Sequence, residues 1–174
     1  SYIWNPKEAR WDYETIVYDD TINNFPPKKL STGDWMMTRR SADRAITFLI
    51  GGKDSISDWK VIPYTIKDRE DGLQPEEPFW YKLPDGNLVS ISRDNSKSGR
   101  LLRSFSIDNG RSWTAPVRTN FPDATSKFNV LRVSKGYYVM INNANPERRN
   151  PLCLSVSSDG LVYTALNRLP VPER

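Results

Sequence analysis

Ser106-Ile107-Asp108-Asn109-Gly110-Arg111-Ser112-Trp113 is a turn signature of the form Ser-x-Asp-x-Gly-x-x-Trp. Its chemistry is local. The Ser and Asp oxygens can accept hydrogen bonds from backbone N–H groups of a tight turn, Gly110 permits a positive φ, and Trp113 covers the hairpin base. A worn copy recurs as Ser157-Ser158-Asp159-Gly160-Leu161-Val162-Tyr163. The strands leading into the two copies are alike, Leu102-Arg103-Ser104-Phe105-Ser106 against Leu154-Ser155-Val156-Ser157-Ser158. Trp59, in Ser57-Asp58-Trp59, stands 54 residues before Trp113, and Tyr163 stands 50 after it.

A unit of roughly 50 residues is what a four-stranded propeller blade requires. Turn signals at Pro84-Asp85-Gly86-Asn87, Asp108-Asn109-Gly110, Ser134-Lys135-Gly136 and Asp159-Gly160 bound strand-length runs. These runs, 87–92, 101–107, 130–133, 137–142 and 152–157, are rich in β-branched, aromatic and leucine residues. Leu152, Leu154 and Val156 alternate with Cys153, Ser155 and Ser157, and no helical period competes. The chain therefore reads as an all-β antiparallel meander forming one domain over 1–174. Residues 35–62 are expected to form a hairpin ending at Trp59. Residues 1–34 read as a connector or edge, with Pro26-Pro27-Lys28-Lys29 extended.

At 174 residues and 37% hydrophobic, the chain can bury a core of its own. Twenty aromatic side chains suit packed sheets. The single cysteine, Cys153, excludes an internal disulfide and reads as a packed thiol; the lack of histidine excludes a His-based triad or a usual zinc site. The net charge of +4 comes from interspersed residues and reads as a decorated surface, so nucleic-acid binding is not expected. No run of 18 apolar residues is present, so no membrane span is expected. No signal-type apolar stretch opens the chain, whose start at Ser1-Tyr2-Ile3-Trp4 reads as trimmed.

Candidate chemistry begins in the hairpin Glu77-Pro78-Phe79-Trp80-Tyr81-Lys82-Leu83-Pro84-Asp85-Gly86-Asn87-Leu88-Val89-Ser90-Ile91-Ser92-Arg93. Pro78 biases Glu77 toward an extended backbone. With the midpoint at Asp85, a regular register sets Glu77 opposite Arg93, Cβ atoms ~5 Å apart. On geometry alone this is an ordinary cross-strand ion pair or the seed of a site. A second basic loop, Asn145-Pro146-Glu147-Arg148-Arg149-Asn150-Pro151-Leu152, precedes the strand into the second turn copy. It reads either as a solvated loop or as a binding element.

Over residues 76–164 these elements together resemble the exo-α-sialidase (neuraminidase) family, whose BNR or Asp-box repeats have the form of the turn at Ser106. The resemblance implies a six-bladed β-propeller of which this chain covers roughly three blades. Glu77 is similar to the glutamate that activates a tyrosine nucleophile, and Arg93 and Arg149 to two of three arginines that bind the substrate; Arg148 is the fallback for the second. Sialic acids carry a carboxylate on the anomeric carbon, and a planar guanidinium binds it bidentately as lysine cannot. A neutral tyrosine avoids that charge, which sets sialidases outside the two-carboxylate scheme, and the glutamate takes its proton. No metal or organic cofactor is implied. Ser106, Asp108, Gly110, Trp113 and Asp159 are structural box residues in such a protein, and a secreted or periplasmic location follows from the resemblance alone.

Other family elements have no match. Met36-Met37-Thr38-Arg39-Arg40 is not the Arg-Ile-Pro motif that supplies the remaining arginine, and no acid/base aspartate stands out among Asp12, Asp19, Asp20 and Asp34. Tyr163 is the only tyrosine after Arg149 and occupies the aromatic position of the second box, so it reads as structural. The expectation is a portion of a sialidase-like glycosidase for terminal acidic sugars, inactive in isolation, either a fragment or a chain that associates through open β edges. The alternatives are a non-catalytic propeller binding glycans or a protein through Trp4, Trp11 and Trp80, and a glycosidase or lyase for another acidic sugar.

Overall fold

The computed structural model describes residues 1–18, 23–41, 45–64 and 69–171, and among these every regular element is a strand. No helix long and apolar enough to cross a membrane occurs among them. Three four-stranded antiparallel sheets follow one another along the chain. The first contains β3 (Lys28–Lys29), β4 (Trp35–Arg40), β5 (Ile46–Gly51) and β6 (Trp59–Pro63); the second β7 (Pro75–Lys82), β8 (Leu88–Asp94), β9 (Arg100–Ser106) and β10 (Val117–Pro122). The third holds β11 (Asn129–Arg132), β12 (Tyr138–Asn142), β13 (Cys153–Ser157) and β14 (Ala165–Arg168), and a two-stranded hairpin of β1 (Tyr2–Asn5) and β2 (Arg10–Tyr13) precedes them all. Each larger sheet is a consecutive meander, the blade pattern of a propeller.

The first 34 residues therefore hold more than a connector. Tyr2 pairs with Tyr13 and Trp4 with Trp11 across the leading hairpin, and Lys28-Lys29 is the first strand of a sheet, paired with Met36 and Trp35. Aromatic cross-strand pairs hold a hairpin without the alternation that marks a half-buried strand, which is why periodicity missed it. Residues 35–62 likewise form three strands in place of one hairpin.

A second repeat, independent of the Asp box, ties the three sheets together. Gly33, Gly86 and Gly136 turn the chain between the first and second strands with φ of 89°, 93° and 88°. Their amides donate to Leu30, Leu83 and Val133, whose own amides donate to Asp34, Asn87 and Tyr137. The offsets are 53 and 50 residues, so corresponding side chains leave each sheet at corresponding heights.

Alternation along β7 sends its residues to two different neighbours. Trp80 packs with Met36, Phe48 and Ile50 of the first sheet, while Phe79 and Tyr81 pack with Val130, Tyr138 and Met140 of the third. At roughly 25 cal/mol per Å² of apolar surface, these two seams supply the main drive for joining the sheets. Trp80, 6% exposed, also donates its indole N–H to the Met36 carbonyl at 3.3 Å. It is therefore unavailable for stacking on a sugar, whereas Trp4 and Trp11 are 46% and 64% exposed. Cys153 is buried.

Both Asp boxes close as their chemistry requires. Gly110 N–H donates to Ser106 Oγ at 2.8 Å, Ser106 Oγ and Ser112 N–H donate to Asp108 Oδ1 at 2.8 and 2.9 Å, and Trp113 Nε1 donates to Gly110 O at 3.0 Å. In the second box Gly160 N–H donates to Ser157 Oγ, and Asp159 Oδ1 accepts from Ser157, Leu161 and Val162. Trp59 occupies the matching connection of the first sheet and repeats the indole bond, to Ile56 O at 2.6 Å.

Candidate functional site

The matched turns place one position of each sheet on a common rim. Seven residues after the turn glycine stand Arg40 in the first sheet, Arg93 in the second and Asn143 in the third. Arg40 Nη2 lies 3.3 Å from Glu76 Oε1, and Arg93 Nε lies 3.3 Å from Glu77 Oε2. Asn143 carries no charge but donates to the carbonyls of Arg149 at 3.0 Å and Pro151 at 3.4 Å. It thus holds the loop from which Arg149 reaches back.

Thr125 is where the loop and the second sheet meet. Arg93 Nη1 donates to the Thr125 carbonyl at 3.3 Å, and Arg149 Nη2 donates to the same oxygen at 3.0 Å. Arg93 and Arg149, 56 residues apart in sequence, are brought together with Glu77 beside them. It is Arg149, and not its neighbour Arg148, that takes this bond. The Glu77–Arg93 pair is partly shielded from water, with side-chain exposures of 17% and 18%, so salt screens it less than a surface pair.

The register at Glu77 departs from the regular one. Phe79 pairs with Ile91 and Tyr81 with Val89, consistent with a midpoint at Asp85, but Arg93 is the partner of Glu76. One extra residue on β7 makes a bulge, and Glu77 takes φ of +50° in place of the extended backbone that Pro78 favours. The bulge swings the Glu77 carboxylate toward the Arg93 guanidinium. The shifted ladder pairs Glu76 with Arg93, yet the carboxylate beside the guanidinium is that of Glu77.

A pair of guanidiniums converging on one oxygen, with a carboxylate alongside, is suited to hold a carboxylate-bearing ligand. Asp123, a residue the sequence did not mark, accepts at 2.9 Å from the amide of Thr125, whose carbonyl takes both arginine bonds. It is 1% exposed, and burial pushes its carboxyl up to about 6 against the pull of the Thr125 and Ser126 amides and the Arg93 charge. Arg40 and Glu76 were also missed, although the recurrence of Gly33 and Gly86 places Arg40 where Arg93 stands.

The remaining candidates are engaged elsewhere. Asp12 accepts from Asn5 and Arg10 in the leading hairpin, and Asp34 accepts from Thr32 and lies 4.0 Å from Arg111. Asp19 and Asp20 fall outside the described residues. Burial pushes Tyr163 up to about 12; its hydroxyl lies 3.3 Å from that of Tyr81, and its ring packs on Phe121. Asp159 is held below the usual carboxylate range by the amides of Val162 and Leu161, which fits a turn clamp.

A profile of the BNR repeat-like domain matches residues 4–170. The chain belongs to the BNR repeat-like domain family. No curated protein matches it. Among solved structures, this BNR repeat-like domain is similar to a Hadza microbial sialidase, with TM-score 0.64 and 16% identity over 82% of this chain and 29% of that one. It is also similar to the intramolecular trans-sialidase of Ruminococcus gnavus in complex with oseltamivir carboxylate, with TM-score 0.63 and 16% identity over 84% and 34%. An α-L-arabinofuranosidase from Fusarium graminearum, in complex with an iminosugar inhibitor, matches with TM-score 0.56 and 14% identity over 82% and 46%. At such identities the likeness is one of fold: a sialidase-like BNR propeller. The chain spans less than half the length of each of these proteins.

Proposed function

We propose that the rim formed by Glu77, Arg93 and Arg149 is the acidic-sugar subsite of a sialidase-like glycoside hydrolase. The observation that carries this reading is the convergence of Arg93 and Arg149 on the Thr125 carbonyl, at 3.3 and 3.0 Å. Two guanidiniums trained on one oxygen suit a sugar carboxylate, each charged hydrogen bond contributing about 1.5–3 kcal/mol. Glu77, held beside Arg93, takes the proton of a hydroxyl nucleophile supplied from outside the described residues of this chain. Arg93 and Arg149 orient the substrate and leave its glycosidic bond facing that nucleophile.

Two measurements test the reading. Titrated with N-acetylneuraminic acid and followed by NMR, the 174-residue chain binds the sugar, and Arg93→Ala and Arg149→Ala each weaken binding by about tenfold or more. Equal affinity for arabinobiose, an uncharged sugar, would sink the acidic-sugar assignment. In the whole protein, Glu77→Gln abolishes release of a fluorogenic aglycone from an α-sialoside while leaving binding intact. Undiminished release would remove Glu77 from the mechanism.

Tyr163, half-buried against the core shared by the second and third sheets and set against the Tyr81 hydroxyl, is not presented as a nucleophile, which favours a second reading, a propeller that binds acidic glycans without cleaving them. Binding by the whole protein without turnover distinguishes it.

A further inference from the structure

We infer that Asp123 is a positioning residue that sets Arg93 and Arg149 through the turn it ties, an inference that rests on the acidic-sugar reading above. The turn runs from Asp123 to Ser126, between β10 and β11. Thr125, at its centre, has φ of +52°, a left-handed conformation that a β-branched residue adopts only when its surroundings impose it. Three bonds impose it. Thr125 N–H donates to Asp123 Oδ2 at 2.9 Å, Thr125 Oγ1 donates to the Asp94 carbonyl at 3.2 Å, and Asp123 N–H donates to the Gly99 carbonyl at 3.0 Å. The Ala124 amide adds a bond to Asn143 O, and Asn143 also holds the Arg149 loop. The result is a carbonyl aimed at both guanidiniums from a residue that would otherwise turn it elsewhere.

Among these ties, the Asp123 carboxylate is the one that can be switched off. Ionised, it accepts from the Thr125 amide at 2.9 Å; protonated, it is a weaker acceptor and the strained turn is free to relax. The charged groups set against the turn are Arg93 on β8 and Arg149 on the β12–β13 loop. Asp94 on β8 is occupied by the Gln74 amide and the Ser96 hydroxyl. An ionised Asp123 also draws on the Arg93 charge, which opposes anion binding. Positioning and competition therefore predict opposite trends of affinity with pH.

The test is binding of N-acetylneuraminic acid by the 174-residue chain from pH 5 to 7.5, a range over which the sugar carboxylate stays ionised. Wild-type affinity rises several-fold with pH, with a midpoint matching the shift of the Thr125 and Ser126 amide resonances. Asp123→Asn binds several-fold more weakly at pH 7.5 and shows a flat profile. A rise in wild-type affinity on acidification would overturn the inference, because the carboxylate would then act as a rival anion on Arg93. So would an Asp123→Asn profile identical to wild type. If Asp123→Asn fails to fold, the wild-type profile and amide shifts decide alone, and a flat wild-type profile counts against the inference. Arg93→Ala separates the two readings: unchanged binding in that variant defeats the acidic-sugar assignment, whereas lost binding together with a wild-type profile in Asp123→Asn defeats only the role of Asp123.

Discussion

Gly110 and Gly136 have the same kind of backbone and opposite surroundings. Both have positive φ, but a Cβ on Gly110 would sit 2.6 Å from Met36 Sδ and 3.1 Å from its methyl, whereas one on Gly136 meets nothing within 4 Å. Gly136→Ala therefore introduces only backbone strain, about 1–2 kcal/mol. Gly110→Ala adds overpacking against the first sheet, for a total of about 3 kcal/mol. Urea unfolding midpoints of the two variants measure the difference, and equal losses would mean that the Asp box does not press on its neighbour. Single residues were also where sequence reading worked best. Ser106, Asp108 and Trp113 make their bonds within seven residues of one another, so the motif and the structure are nearly the same statement.

Among the elements, the β1–β2 hairpin and the β7–β8 hairpin differ in what supports them. Tyr2 meets Tyr13 edge-on and Trp4 meets Trp11 at a tilt across the first, with ring centroids 5.6 and 5.4 Å apart, yet all four remain exposed. A two-stranded hairpin of this kind is marginally stable in water. Its amides exchange with solvent by local opening, close to the unprotected rate, whereas those of Val89 and Ile91 exchange only on global unfolding. Native-state hydrogen exchange checks this, and equal protection of Ile3 and Val89 would refute it. The β7–β8 hairpin was legible from its Asp-Gly turn and its midpoint. Its bulge was not, because it lies between Glu76 and Phe79, at the far end of the hairpin from the turn that sets the register.

For the whole molecule, Lys28 measures the coupling between sheets. Its ammonium reaches from the first sheet to the Trp80 carbonyl at 2.9 Å and lies 3.4 Å from the Phe79 ring centroid. Burial lowers its pKa from 10.5 to about 8. Between those values the folded chain binds fewer protons than the unfolded one, so this group makes stability rise with pH across about 8 to 10.5. Lys28→Met removes the contribution. The Tm of the variant relative to wild type should therefore decline as pH is raised from 7 to 10, a comparison in which the buried tyrosines act on both proteins alike. A Tm difference independent of pH would mean that Lys28 stays hydrated.

The strands β7–β9 and β11–β13, the 50-residue period and the closure of each Asp box were set by the sequence alone, because they rest on local turn residues and on the two-residue repeat of a strand. Glu77, Arg93 and Arg149 could be named from their spacing and from resemblance. That the two arginines meet at Thr125, with Glu77 beside Arg93, was decided by tertiary structure. The meeting requires a bulge in β7, a left-handed threonine tied to the Asp94 carbonyl and an asparagine that braces the Arg149 loop and accepts from the Ala124 amide, ties that join segments distant in the chain. Asp123 carried no sequence signal for the same reason. A carboxyl acquires its character from burial and from the amides packed around it, and neither exists until the second and third sheets have joined.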